Sequence, residues 1–190
     1  MGFSAFDFDP KIAAGIRALG YCVPTPIQRQ AMAPILQGRD VMGLAQTGTG
    51  KTAAFALPIL QRLLSGPRGV TRALILAPTR ELADQIQASF RSLGRQTGLR
   101  SLAVYGGVGA GAQVGGFRSG DEIVVACPGR LLDHLRQGAF KPSGLEVLVI
   151  DEADRMFDMG FLPDIRRILK HLPAHRQTLL FSATMPDDIR

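Results

Sequence analysis

Short apolar runs alternate with longer amphipathic stretches along this chain. Val41 to Ala45, Ala73 to Ala77, Leu102 to Tyr105, Ile123 to Ala126, Val147 to Asp151 and Thr178 to Ser182 are β-branched or Leu-rich. Glycine, proline or charge bounds each run, which predicts strands. Their apolar character is nearly continuous, as expected of strands covered on both faces. Between them, Lys51 to Leu64, Arg80 to Leu93, Arg130 to Gln137 and Asp164 to Leu172 read as helices. Strand then helix, repeated, predicts an α/β fold with a mostly parallel central sheet and helices on both faces. Ligands of such sheets bind beyond the carboxyl ends of the strands. The loops that follow strands are therefore where chemistry is expected.

Two further segments break the rhythm. Before the first strand, Ile12, Ile16 and Leu19 predict one helix, ended by Gly20. Pro24-Thr25-Pro26 then interrupts the chain, and Ile27 to Leu36 predicts a second helix. Thr25 is its candidate cap, with Pro26 in the first turn. The stretch from Gly106 to Gly116 holds six glycines in eleven residues and reads as a flexible loop on the ligand side.

The chain has 190 residues, 46% hydrophobic and 20% charged, the balance of one compact globular domain. No apolar run approaches the ~18–20 residues of a membrane span. Lys plus Arg exceed Asp plus Glu by 22 to 16, which favours a polyanionic partner such as nucleic acid or nucleotide over a neutral one. Cys22 and Cys127 lie far apart, with no Cys or His at metal-ligand spacing. With no leader-like opening, this composition predicts a reduced, cytoplasmic protein. His134, His171 and His175 belong to no motif and read as surface or structural. Arg17, Arg62, Arg166 and Arg167 read as solvated surface charges.

The most specific chemical signal is Ala45-Gln46-Thr47-Gly48-Thr49-Gly50-Lys51-Thr52, which ends a strand and opens a helix. Gly48 and Gly50 let the backbone curl so that N–H groups point inward. The following helix presents its positive end to the same space. Lys51 can then reach the β- and γ-phosphates of a nucleotide, and the Thr52 hydroxyl can coordinate Mg²⁺. The general pattern begins with glycine, whereas this chain has Ala45.

A second signal is Val147-Leu148-Val149-Ile150 running into Asp151-Glu152-Ala153-Asp154. A carboxylate at the end of a buried strand is costly unless it meets a cation. Asp151 can meet the metal held by Thr52, through water, while Glu152 can orient and deprotonate an attacking water. The alternative is an acidic turn that opens a helix, where Asp and Glu are favoured in any case.

With these motifs in place, the chain resembles the DEAD-box RNA helicases. Asp151 to Asp154 spell the family's name. Pro78-Thr79-Arg80-Glu81-Leu82-Ala83, Gly106-Gly107, Cys127-Pro128-Gly129-Arg130, Asp158-Met159-Gly160-Phe161 and Ser182-Ala183-Thr184 follow in the family's order and spacing. The resemblance implies a RecA-like P-loop fold that uses ATP and Mg²⁺, with Lys51, Asp151 and Glu152 as catalytic residues. Residues 1–40 would form an adenine-sensing helical segment and 41–190 the ATP-binding domain. Gly20-Tyr21-Cys22-Val23-Pro24-Thr25-Pro26-Ile27-Gln28 is similar to the family's Q motif, and Phe3 stands where its isolated aromatic is expected. In that motif the Gln28 amide pairs with adenine, Tyr21 stacks on the base and Phe3 buttresses it. Without the motif, Gln28 would read as a solvated helical glutamine and Phe3 as core.

The resemblance also assigns RNA contacts to Pro78, Thr79, Arg80, Gly106, Gly107, Pro128, Gly129 and Arg130. These groups address phosphates and sugars, so binding would be largely sequence-independent. Cys127 replaces the family's usual threonine and is a weaker donor. Ser182 and Thr184 would bond toward Asp154 and couple hydrolysis to RNA. Strand-end hydroxyls that satisfy nearby backbone are the plainer reading. Family members carry a second RecA-like domain whose arginines act on the γ-phosphate, and such a contribution is worth ~10³–10⁵ in rate. The chain is thus expected to be the amino-terminal part of a longer helicase, binding nucleotide but nearly inactive alone. A nucleotide-gated RNA clamp and a DNA-directed motor are the competing readings; oligomeric state is not legible.

Overall fold

The computed structural model describes residues 2–184. Six strands form one sheet: β1 (Val41–Leu44), β2 (Ala73–Leu76), β3 (Ser101–Val104), β4 (Ile123–Ala126), β5 (Val147–Ile150) and β6 (Gln177–Ser182). Their spatial order is β1-β6-β5-β2-β4-β3. Every neighbouring pair is parallel, so the sheet is parallel throughout rather than mostly so. The helices are α1 (Pro10–Ala18), α2 (Pro26–Leu36), α3 (Lys51–Leu63), α4 (Arg80–Leu93), α5 (Ala110–Ser119), α6 (Pro128–Arg136), α7 (Ala153–Asp158) and α8 (Leu162–Leu169).

The continuous apolar runs have a direct structural meaning. Ala73 and Ile75 of β2, Val125 of β4 and Val149 of β5 face a core shared with α1, α2, α3 and α4. Leu74, Leu76, Val124, Ala126, Leu148 and Ile150 face a second core on the other side, built with α6, α7 and α8. Alternate side chains enter opposite cores, so no position is left for a polar residue. The first helices belong to this packing: Phe3, Ile12, Ile16, Ile27, Met32 and Ile35 are all buried in the first core. α1 lies directly on the end of α4, because a β-carbon at Gly15 would stand 2.0 Å from the Leu93 carbonyl oxygen.

Parallel topology divides the carboxyl edge of the sheet into two halves. β1, β6 and β5 are adjacent, so the loops after them share one half; β2, β4 and β3 share the other. The phosphate loop, the acidic motif and Ser182-Ala183-Thr184 follow the first three strands. Thr79-Arg80, Gly106-Gly107 and Pro128-Gly129-Arg130 follow the second three.

The opposite pole is a lattice of polar bonds. Buried Arg72 binds Glu146 Oε1 at 2.6 Å and donates to the carbonyls of Leu63, Ser65 and Pro67. Glu122 accepts from Arg68 and from the backbone N–H groups of Gly69 and Arg100. Burial pushes the Glu122 carboxyl upward, but these donors outweigh it and hold it below its ordinary value. Arg62, expected as a solvated charge, bridges Glu146 at 3.1 Å and Gln177 at 2.9 Å.

Other expectations also change. The glycine-rich segment is not a loop throughout, since Ala110–Ser119 is helical. Phe117 packs against the second core and Gln113 is buried, which compensates the weak helix propensity of its glycines. The acidic motif opens α7, a six-residue helix too short for an amphipathic period to reveal. α8 spans Leu162–Leu169, starting and ending before the predicted Asp164 to Leu172. Leu19 is exposed at the end of α1 rather than on its buried face. Among the described residues, no helix is long and apolar enough to cross a membrane.

Candidate functional site

The turn after β1 is anchored on both sides. Ala45 N–H donates to the Ser182 carbonyl at 3.0 Å, extending the β1–β6 ladder into the loop. Gly48 and Gly50 take positive φ of 84° and 89°, a backbone that L side chains adopt only under strain. The Thr49 hydroxyl donates to the Gln46 carbonyl at 2.7 Å and closes the turn. Gly50 then caps α3, which begins at Lys51.

Lys51 is buried, and its Nζ has no hydrogen-bond partner among the described residues. Asp151 at the end of β5 is 2% exposed. Burial pushes its carboxyl up to about 6, against the pull of the Lys51 charge. A buried ammonium without an acceptor is costly. So is a buried carboxylate whose one donor among the described residues is the Glu152 N–H at 3.0 Å, and whose nearby Lys51 charge only partly offsets burial. A bound anion and a bound cation would satisfy them in turn. A cavity of ≈360 Å³ lies between them, lined by Thr47, Gly48, Gly50, Thr52, Asp151 and Glu152 among others. A larger space of ≈680 Å³ lies at the opposite pole beside Phe117 and Phe140, remote from every motif residue.

Glu152 is held in an unusual conformation, with φ 51° and ψ 50°. For a glutamate this is a strained backbone of the kind that gathers at functional sites. Its Oε1 accepts from the Thr47 hydroxyl at 3.3 Å, and its Oε2 pairs with Arg155 at 3.3 Å. The phosphate loop and the acidic motif therefore touch through two side chains, although 105 positions separate them in sequence. The next acid, Asp154, faces β6. Its N–H donates to Ser182 Oγ at 3.2 Å, and its Oδ2 accepts from both the N–H and the hydroxyl of Thr184 at 3.0 Å. Desolvation raises the Asp154 carboxyl, but the Thr184 donors prevail and hold it below its ordinary value.

The amino-terminal segment closes over the same loop. The Gln28 Oε1 accepts from Thr25 N–H at 2.9 Å, and its Nε2 donates to the Gly50 carbonyl at 3.1 Å. The side chain is buried rather than solvated, and the Thr25 hydroxyl beside it has no partner. Phe3 is buried and stacks on exposed Tyr21, with ring centroids 6.1 Å apart. Gln46 and Thr47 are exposed on the loop, and Thr52 is half-buried at the start of α3.

Across the sheet, Thr79 caps α4 by accepting from Leu82 N–H at 3.3 Å, which leaves its own O–H free to donate. Pro78 is buried, whereas Arg80 is exposed and lies over the Tyr105 ring at 5.1 Å from its centroid. Gly106 and Gly107 are exposed, and a β-carbon on either would meet nothing within 4 Å. That open space is available to an approaching backbone. Pro128, Gly129 and Arg130 form the first turn of α6. Cys127 precedes them without making a side-chain cap. Burial, aided by Glu81 and Asp84, pushes its thiol up to about 11, so it is a poor nucleophile.

Several participants had no sequence signal strong enough to find them. Tyr105 and Arg155 adjoin motifs, and adjacency alone could have nominated them. Gln113 and His134 are buried partners at 2.8 Å, drawn from two helices with no motif at either position.

Comparison with known proteins adds the lineage. The chain is 48% identical over 188 residues to the ATP-dependent RNA helicase CshA of Listeria monocytogenes, covering 99% of this chain and 36% of that protein. It is 46% identical to the ATP-dependent RNA helicase DeaD of Buchnera aphidicola, covering 99% of the chain and 31% of that protein. It is 50% identical to the ATP-dependent rRNA helicase rrp3 of Aspergillus niger, covering 94% and 38%. The chain thus spans about a third of the length of these relatives. The pattern that defines the DEAD/DEAH box helicases matches residues 25–190, from Thr25 at the start of α2 through Ser182-Ala183-Thr184; Phe3 and Gly20 to Pro24 precede the matched span. On that match, and on a sheet whose carboxyl edge gathers those motifs, the chain belongs to the DEAD/DEAH box helicase family.

Proposed function

We propose that the chain is the amino-terminal, ATP-binding part of an ATP-dependent RNA helicase. Residues 1–40 serve as the adenine-sensing segment and 41–190 as the RecA-like domain. The observation that carries this reading is the Lys51 ammonium, buried without a partner at the head of α3 and across a cavity from buried Asp151. A triphosphate bound on the turn gives that ammonium its acceptors, and inward N–H groups at the helix start add to the attraction.

Thr52 and Asp151 are the residues that would hold Mg²⁺. Among the described residues no three His, Cys, Asp or Glu side chains gather to hold a metal alone. Phosphate oxygens and waters would complete its coordination, in keeping with the habit of this ion. The metal's contribution is to neutralise charge that develops on the phosphoryl oxygens. Glu152 orients and deprotonates the attacking water; its bonds to Thr47 and Arg155 hold the carboxylate in place meanwhile. Tyr21, Phe3 and Gln28 select adenine. The Gln28 amide retains one N–H beyond its bond to Gly50.

Thr79, Arg80, Gly106, Gly107, Gly129 and Arg130, with Pro78 and Pro128 shaping their turns, bind the sugar–phosphate backbone of single-stranded RNA. Asp154, Ser182 and Thr184 couple that contact to the nucleotide. A second RecA-like domain supplies the rest of the catalytic charge, so the chain alone turns over slowly. The test uses the full-length protein with Glu152→Gln. ATP binding retained with RNA-stimulated hydrolysis lost supports the assignment; hydrolysis at the unaltered rate contradicts it.

A further inference from the structure

Three loops of the proposed RNA surface arise from three strands, yet one buried pair ties two of them together. Gln113 is 3% exposed and His134 is 1% exposed. His134 Nε2 is 2.8 Å from Gln113 Oε1, and Gln113 Nε2 donates to the Tyr105 carbonyl at 2.9 Å. His134 lies one helical turn beyond Arg130 on α6, while Tyr105 immediately precedes Gly106. The Tyr105 ring in turn carries the Arg80 guanidinium. One line of contacts therefore runs from α6 through α5 to the residue before Gly106-Gly107, and on to Arg80.

We propose that Gln113 and His134 are positioning residues for the nucleic-acid grip. They fix the carbonyl of Tyr105, and with it the path of Gly106-Gly107, at a set distance from the Arg130 turn. This inference rests on the reading of those turns as the RNA surface. Gly106 and Gly107 make no side-chain contacts of their own, and open space surrounds them. A pair of glycines in that setting keeps one conformation only if the residues on either side are held. The Cys127 N–H to Val104 carbonyl bond at 2.8 Å holds the strand behind Tyr105; the Gln113 amide holds Tyr105 itself. The tether is demanding in its chemistry. With Gln113 Nε2 donating to Tyr105, the Oε1 accepts from His134, so Nε2 of the imidazole carries the proton. The remaining ring nitrogen, Nδ1, is buried without a partner. A helix interface of this kind would pack better with two apolar side chains, so retaining the polar pair serves placement rather than stability.

The experiment separates placement from folding. Gln113→Met with His134→Phe replaces both partners by apolar groups of similar shape, which costs little stability when made together. Binding of a fluorescein-labelled ten-nucleotide poly(U) is measured by anisotropy at several salt concentrations, beside thermal melting and Arg80→Ala as reference. The expected result is a near-normal melting temperature with RNA affinity down about threefold to tenfold. The dependence of affinity on salt should also be shallower, because a phosphate contact is lost. A double variant that melts normally and binds RNA as tightly as the parent, while Arg80→Ala binds weakly, overturns the inference alone. Unchanged binding in Arg80→Ala as well overturns the RNA reading and this inference with it. If the double variant melts early, Gln113→Met in the parent and in a His134→Phe background gives the same comparison at matched stability. RNA affinity that then simply follows stability counts against placement.

Discussion

Gln28 and Gly50 are locked against each other. The Gln28 amide donates to the Gly50 carbonyl at 3.1 Å, and a β-carbon on Gly50 would lie 2.5 Å from that same nitrogen. The contact joins a residue outside the core sheet to the last glycine before Lys51. The nucleotide loop and the amino-terminal segment therefore form one object, and a change in either is felt in the other. Gly50→Ala combines this overlap with a left-handed backbone at φ 89°. Destabilisation of about 1–3 kcal/mol is expected, read from the urea midpoint, together with loss of ATP affinity.

Gln28→Ala removes two bonds at once. Loss of the bond to Thr25 N–H lowers stability by about 1 kcal/mol, the usual cost of a helix cap. Loss of the amide that we propose reads adenine should erode the preference for ATP over GTP, measured by competition with a fluorescent nucleotide. Reduced stability with an unchanged ATP preference would assign Gln28 to structure alone.

Lys51→Met tests the cost of an unpartnered buried charge. Removing the ammonium relieves the burial of a charge in the nucleotide-free chain. Asp151, already pushed up to about 6 against the Lys51 charge, takes up a proton once that charge is gone, so the melting temperature should rise at pH 6 and below. A gain of 1 kcal/mol corresponds to about 2–4 °C for a domain of this size. The same variant should lose the stabilisation that added ATP–Mg gives the parent. A lower melting temperature without nucleotide would show that Lys51 is satisfied by something other than a ligand.

Asp154, Ser182 and Thr184 predict a different phenotype. Thr184→Ala removes one of the two donors to Asp154 Oδ2 and leaves the phosphate loop intact. Affinity for ATP–Mg should stay within about twofold of the parent, a difference of roughly 0.4 kcal/mol. RNA stimulation of hydrolysis in the full-length protein should fall. An ATPase that still responds fully to RNA would place these residues outside the coupling.

His134 gives the stability a pH dependence. Burial, with Arg130 next in effect, holds its imidazole below the ordinary value of 6.5, and Asp133 opposes this weakly. From α5 it faces Gln113 and the edge of the Phe117 ring, both neutral. The folded chain therefore binds fewer protons than the unfolded chain below that value. The stabilising contribution is complete above pH 6.5 and is lost as pH falls through the lower folded value. The melting temperature should decline on acidification below that point, and less steeply in the Gln113→Met, His134→Phe double variant.

Most of the fold and both ends of the candidate site can be read from the sequence, for physical reasons. Strands buried on both faces leave uninterrupted apolar runs, so all six strands were legible to within a residue or two at each end. The phosphate loop and the acidic strand end were legible because each needs particular residue types at fixed spacing. What stayed hidden depends on partners distant in sequence. Arg62 reads as a surface charge until Glu146 and Gln177 are brought beside it. The glycine-rich segment reads as a loop until Phe117 and Gln113 are seen packing inward. Outside its motif Gln28 reads as a solvated helical glutamine until its bonds to Thr25 and Gly50 are in place.

The most direct test of the account is calorimetric titration of this chain with ATP–Mg, beside Lys51→Ala. The parent should bind with a stoichiometry near one, and the variant should show no measurable binding or a loss of at least about 100-fold, equivalent to ~2.7 kcal/mol. Equal affinity in the two proteins would contradict the placement of the triphosphate between Lys51 and Asp151.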